Sequence, residues 1–100
     1  MKYSISHPTK KLYGSISLTA SKSESNRALI IQALCNERFE INNLATANDT
    51  RILQQILISA QKQGPEKVYD VEDAGTAMRF LTAFFATKPG IHILLCSQRM

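Results

Sequence analysis

Short apolar segments of two different periods alternate along the chain, and this alternation limits the possible folds more than any other feature. Polar and apolar residues in strict alternation predict strands, whereas apolar residues three and four positions apart predict helices. Strands are predicted at 3–6, 15–19, 39–44, 67–71 and 91–96, and helices at 23–35, 49–61 and from about 76. Gly64-Pro65 and Pro89-Gly90 are expected to end the last two helices. The order predicts an α/β fold with helices packed on a sheet.

The helices differ in how their apolar residues are distributed. The helix over 23–35 has a polar start and an almost wholly apolar body, so its body is expected to be buried. The helix over 49–61 is amphipathic, with Asn48 or Asp49 as its expected cap. Cys35 and Cys96 are too few and too far apart for a disulfide framework or a zinc site, so both are expected to be buried thiols.

Composition and charge exclude several classes of function. The 100 residues are 44% hydrophobic and carry a net charge of +4, which fits one globular unit with a mildly basic surface. The basic residues are scattered and Trp is absent, so a nucleic-acid-binding surface is not expected. No apolar run approaches the roughly 20 residues of a membrane span, and the N-terminus lacks the pattern of a secretory signal. The expected location is therefore the cytoplasm, and the modest positive charge suits a protein that handles small anions.

The first predicted helix begins in an unusual charge environment. A helix N-terminus attracts anions through its free amides, so Lys22 and Arg27 near this end are unfavourable for the helix itself. One interpretation is an anion site, with Lys22 as a point charge, Ser23 and Ser25 as hydroxyl donors, and Arg27 as a fork for phosphate or carboxylate. The other is a serine-capped helix whose Lys and Arg are merely solvated. This segment alone leaves both open.

The start of the third predicted helix repeats this arrangement. Gly75 would let a ligand approach the backbone, Thr76 can cap the helix, and Arg79 places a guanidinium in the first turn. A glycine at a turn into a helix is usually structural. Because two junctions in one short chain each carry a misplaced cation, we predict two anion sites that converge.

At these motifs the sequence resembles the 5-enolpyruvylshikimate-3-phosphate synthases, which are 3-phosphoshikimate 1-carboxyvinyltransferases. Residues 21–29 match the first substrate motif of that family, and residues 74–79 match its second. Residues 48–51 and the terminal Arg99-Met100 are supporting matches. Lys22-Ser23 is typical of the shikimate branch, because related transferases that act on UDP-N-acetylglucosamine have Lys-Asn there.

The resemblance implies a fold and a reaction. The family transfers the enolpyruvyl group of phosphoenolpyruvate to a hydroxyl of shikimate 3-phosphate, releasing phosphate, and needs no metal or organic cofactor. Its fold is an inside-out α/β barrel built from repeated βαβαββ units in two domains, in a protein expected to be a monomer. By this resemblance residues 1–19 are strands at the domain crossover, and residues 20–100 begin one globular α/β domain. The remainder of the two-domain enzyme is absent from this sequence.

The resemblance also implies roles for the first motif. Lys22 would contact both substrates, while Ser23 and Arg27 would hold the phosphate of shikimate 3-phosphate. These contacts agree with the anion site inferred from the charges alone.

For the second motif the resemblance implies contact with phosphoenolpyruvate. The backbone around Gly75 would face that substrate together with Thr76, and Arg79 would be a further contact or a brace. Asp73 stands where the family usually has Asn, which places a negative charge near the expected anion site. No catalytic acid or base is assigned in this portion, so the piece alone is expected to be inactive. The alternative is a free-standing α/β module that binds small anions or phosphate without catalysis.

Overall fold

The computed structural model describes residues 1–62, 64 and 66–99. Its elements, in chain order, are α1 (Lys22–Leu34), α2 (Asn48–Ala60), β1 (Glu66–Asp70), α3 (Gly75–Ala86) and β2 (Ile91–Leu95). Pro65, expected to help end α2, and Met100 of the terminal match lie outside the described residues. The predicted α/β class is confirmed, and each of these elements lies within about one residue of its predicted bounds.

The C-terminal half forms a parallel βαβ unit. β1 pairs with β2 in parallel, with Tyr69 opposite Leu94, and α3 makes the crossover between the two strands. Gly90 has a φ of 99°, a left-handed conformation that glycine adopts without strain. α3 ends at Ala86, so the prediction that this helix ends by Pro89-Gly90 is confirmed. This unit places the start of α3 beyond the C-terminal end of β1.

The core lies between the three helices and one face of the sheet. Leu53 of α2, Leu81 of α3 and Val71 after β1 are fully buried within it. α1 packs mainly against α2, and α2 packs against α3. The three helices run parallel, because residues near their starts contact one another and residues near their ends line common grooves. All three N-termini therefore lie at one end of the molecule.

α1 does not have the buried body that its composition predicts. Of its apolar side chains Leu29 is buried, but Ile31 and Leu34 are more than half exposed. The expectation is wrong because the apolar side chains of this helix point in most directions around its axis, whereas α2 and α3 cover it on one side only. α2 behaves as predicted, with Ile52 and Ile56 facing the core.

The three remaining predicted strands, at 3–6, 15–19 and 39–44, are not formed, so the predicted strand–helix order is wrong in the first half of the chain. A strand is stabilised by hydrogen bonds to a neighbouring strand, and none of these segments pairs with another described segment. Residues 1–19 are exposed along their whole length. Thr19 connects this segment to the folded part, because its Oγ1 accepts a hydrogen bond from the Thr46 amide at 3.1 Å.

Cys35 and Cys96 are both exposed, which corrects the expectation of buried thiols. Each follows the last residue of an element, α1 or β2, and so lies outside the packed interior. The helices of the described residues are also too short and too polar to cross a membrane.

Candidate functional site

The start of α2 contacts the starts of both candidate motifs. From α1, the Lys22 Nζ lies 4.0 Å from an Oδ1 of Asp49, in the first turn of α2. From the other side, Asn48 Nδ2 donates to an Oε2 of Glu72, in the turn before α3, at 3.4 Å. The two motifs that are far apart in sequence therefore lie on either side of one helix start.

The start of α1 has a serine N-cap and also exposes the two basic side chains of the first motif. Ser21 is the N-cap, and its Oγ accepts a hydrogen bond from the Glu24 amide at 3.3 Å. This confirms the serine cap. Lys22, Ser23 and Arg27 are exposed, so their donors remain accessible to a solute. The cap satisfies one amide of the first turn and leaves others free to face an anion.

The inner side of the same turn is structural. Ser25 is buried, and its Oγ accepts a hydrogen bond from the Ala45 amide at 2.9 Å. Ser25 thus has a structural bond in the packed interior, and its role as a hydroxyl donor for a ligand stays a prediction. Asn26 is buried beside it and accepts a hydrogen bond from Thr50 Oγ1 at 2.9 Å. These bonds fix α1 against α2 and thereby fix the directions in which Lys22 and Arg27 leave the helix.

The turn from β1 into α3 is held by local and long-range bonds. Glu72 has a φ of 53°, and its amide donates to Asp70 Oδ1 at 2.8 Å. Its carbonyl accepts from the amide of Ser97 at 2.7 Å, just after β2. Since a side chain in this left-handed conformation is unusual, the bonds around Glu72 define the shape of the turn.

α3 begins at Gly75 without a side-chain cap. Its N-cap is Ala74, and no side chain bonds the first amides, so the expectation that Thr76 caps the helix is wrong. The capping expectation for α2 is wrong in the same way, because its N-cap is Ala47. A Cβ built on Gly75 would meet nothing within 4 Å, so the space beside this backbone is open.

The start of α3 combines features that attract an anion with two exposed carboxylates, Glu72 and Asp73, that come just before it. The first turns of α1 and α2 contain Glu24 and Asp49, but the first turn of α3 has no acidic residue. Uncapped amides, the positive end of the helix dipole and the exposed Arg79 side chain one turn later therefore act together. An approaching phosphate or carboxylate would gain charge-assisted hydrogen bonds there.

The six predicted site residues do not all contact one another. Among the described residues, no hydrogen bond or ion pair links the first motif to Gly75, Thr76 or Arg79. Arg27 lines an apolar groove of about 470 Å³ between α1 and α3, next to Phe80. The two motifs are thus neighbours through α2 and through this groove, and they do not form a closed pocket within the described residues.

Three residues that connect the motifs were not among the predicted site residues. Asn48 and Asp49 lie within the match at residues 48–51, which was the one sequence signal that could have identified them. Glu72 had no such signal, because its role depends on a contact with a residue 24 positions away.

The fold and site define the chain as an α/β unit with parallel helix N-termini and basic side chains grouped at one end, an arrangement suited to binding small anions. The sequence pattern of the family described as EPSP synthase (3-phosphoshikimate 1-carboxyvinyltransferase) matches residues 6–63. The chain belongs to this family.

Curated relatives agree with the family match. The chain is 46% identical over 100 residues to the 3-phosphoshikimate 1-carboxyvinyltransferase of Bacteroides fragilis (strain YCH46), covering all of this chain and 23% of the relative. It is 34% identical over 113 residues to the enzyme of the same name from Ralstonia pickettii (strain 12J), covering 93% of this chain and 26% of that relative. The chain thus spans about a quarter of the length of these relatives. No solved structure matches it.

Proposed function

We propose that this chain is the N-terminal portion of a 3-phosphoshikimate 1-carboxyvinyltransferase. The enzyme would move the carboxyvinyl group of phosphoenolpyruvate to a hydroxyl of shikimate 3-phosphate, with phosphate as the leaving group. The observation that carries the proposal is the 46% identity to such an enzyme across the entire chain, both helix-start motifs included. The proposed division at residues 19 and 20, the inside-out barrel, the absence of a cofactor and the monomeric state belong to the same proposal.

The first motif is proposed to hold shikimate 3-phosphate. Ser23 and Arg27 would bind its phosphate, and Lys22 would contact both substrates. The exposure of all three side chains supports this assignment. So does the packing of α1 against α2, because a fixed helix presents its guanidinium and ammonium groups in defined directions.

The second motif is proposed to face phosphoenolpyruvate. The uncapped start of α3 would present the backbone around Gly75, with Thr76 beside it and Arg79 as a further cation. The Gly75 amide itself donates to the Asp73 carbonyl at 3.0 Å, so the amides offered to a ligand would be those that follow it. The open space beside Gly75 supports this, because a polyanion could approach the backbone there. Asp73 does not cap the helix, so its carboxylate is a repulsive charge that the neighbouring cations must outweigh.

The proposed contribution of these residues is positioning and charge neutralisation. Both substrates are small polyanions, and bringing them together costs electrostatic energy that fixed cations and amide dipoles offset. No residue of this portion is assigned to proton transfer. The 100 residues alone are therefore expected to bind weakly and to catalyse nothing.

One experiment tests the chemistry. A chimera carries this chain in place of the matching N-terminal portion of the Bacteroides fragilis relative, and phosphate release from phosphoenolpyruvate and shikimate 3-phosphate is measured. We expect activity in the chimera and a loss of at least about tenfold in kcat/KM for Lys22→Ala and for Arg27→Ala, since each removes a charged hydrogen-bond donor. Lys11→Ala is the matched control, because it removes one exposed positive charge from the segment before α1.

A second measurement separates the enzyme portion from a free-standing module. The isolated chain is titrated with shikimate 3-phosphate and, separately, with inorganic phosphate, while backbone NMR signals are followed. Millimolar binding with shifts at the starts of α1 and α3 is the expected result. Micromolar binding by this chain alone would favour the module, and the absence of any binding together with an inactive chimera would refute the proposed function.

A further inference from the structure

The Asp49 carboxylate is held in place by the packing of α2, and it lies within reach of the flexible Lys22 side chain. Asp49 lies in the first turn of α2, where the helix dipole favours a negative charge. The residues that follow it, Thr50 and Ile52, are buried and hold this turn in the core. Lys22 is 48% exposed, yet its Nζ lies 4.0 Å from the Asp49 carboxylate, and this is the one ion pair within the described residues.

A lysine ammonium on a four-carbon stem has many rotamers in solvent, and binding a ligand must select among them. A carboxylate that already favours one group of rotamers lowers that cost before the ligand arrives. We infer that Asp49 is a positioning residue that directs Lys22 toward the anion site. This inference rests on the proposed function, in which Lys22 is the residue that contacts both substrates.

The inference can be tested because the negative charge of Asp49 has two opposite effects on the binding of an anion. As a negative charge near an anion site, Asp49 repels the ligand, so its neutralisation alone would strengthen binding. As a positioning residue it orders Lys22, so its neutralisation would weaken binding. The direction of the change therefore shows which role prevails.

The test compares Asp49→Asn with Glu40→Gln in the full chain. Each variant removes one negative charge, and Glu40 is exposed and forms no ion pair within the described residues. The probe is shikimate 3-phosphate in NMR titrations, with inorganic phosphate as a second arm. We expect Asp49→Asn to weaken binding about two- to fivefold, the range for a partly exposed ion pair, and Glu40→Gln to leave it unchanged or slightly stronger.

Two further variants show whether Asp49 acts through Lys22. In a Lys22→Met background, Asp49→Asn should cause no additional loss of affinity, because no ammonium is left to position. With Lys22 intact, Asp49→Glu should keep part of the affinity that Asp49→Asn loses, because it keeps a carboxylate. Binding that is unchanged or tighter in Asp49→Asn overturns the inference. So does an equal loss in the Lys22→Met background, since Asp49 would then act independently of Lys22.

A readout without ligand keeps this inference separate from the proposed function. The mobility of the Lys22 side chain is measured by relaxation of its Cε methylene in the wild type and in Asp49→Asn, with circular dichroism as the check on folding. Higher mobility in the variant supports positioning, and unchanged mobility overturns it. If the wild-type chain does not bind shikimate 3-phosphate and the chimera does not convert it, the proposed function is refuted, whereas the result of this mobility measurement is unaffected.

Discussion

The hydrogen bond between Thr50 and Asn26 is the buried polar link between α1 and α2, and Thr50→Val tests it. The two side chains are 1% and 0% exposed, and Thr50 Oγ1 donates to Asn26 Oδ1 at 2.9 Å. Valine keeps the shape of threonine but removes the donor. Asn26 Nδ2 already has no partner among the described residues, so the variant would leave the whole buried amide without a side-chain partner.

The magnitude follows from this burial. A buried acceptor that loses its donor costs about 1–3 kcal/mol. Urea unfolding followed by circular dichroism should give a free energy of unfolding lower by that amount, with an unchanged m-value. For a chain of this size, each kcal/mol corresponds to a decrease of about 4–8 °C in Tm.

Thr82→Val is the matched control. Thr82 is exposed and its Oγ1 donates to the Met78 carbonyl within α3, so solvent can replace what is lost. We expect a change within about 0.5 kcal/mol there. If Thr50→Val were as stable as the wild type, the bond to Asn26 would not hold α1 in place, and the argument that this packing orients Lys22 and Arg27 would fail.

Two further predictions concern the core and the pH dependence of stability. Leu53→Ala should lower the free energy of unfolding by about 2–5 kcal/mol, because Leu53 is completely buried. Ile58→Ala, on the exposed face of the same helix, should change it by less than about 1 kcal/mol. Equal effects of the two variants would contradict the placement of α2. Burial raises the pKa of Tyr69 above that of an ordinary tyrosine, so the folded chain keeps this proton to a higher pH than the unfolded chain does. The contribution of this group to stability should therefore be complete below about pH 10 and decline above it, and Tyr69→Phe should remove this dependence. A wild-type chain and a Tyr69→Phe variant with the same loss of stability above that pH would refute the argument.

The parts of the fold that could be predicted are those specified by local periodicity. α2 shows apolar residues at helical spacing, and its buried face contains three of them, Ile52, Leu53 and Ile56. The segment from β1 to β2 could be predicted because its strands flank a helix and end at clear turn residues. The segments 3–6, 15–19 and 39–44 have equally regular patterns, yet they form no strands here, since a strand also needs a partner that no local pattern specifies.

The candidate site divides in the same way. Lys22, Ser23, Arg27, Gly75, Thr76 and Arg79 could be named in advance because each belongs to a recognisable helix start, and their substrate contacts remain predictions. The contacts of Asn48 and Asp49 with the two motifs could not be predicted, because they depend on how helices far apart in sequence pack together. The same is true of the caps, where Ala47 and Ala74 precede helices expected to begin with polar side chains.

By itself, then, the sequence determined the family, the position of each helix and the identity of the cations near the helix starts. All of these are encoded in residues that are neighbours along the chain. The tertiary structure decided which surfaces are covered and which charges meet: it left Ile31 and Leu34 exposed, and it placed Asp49 beside Lys22. Burial and Coulomb interactions depend on distances through space, and those distances exist only once α1, α2 and α3 have packed with their N-termini together.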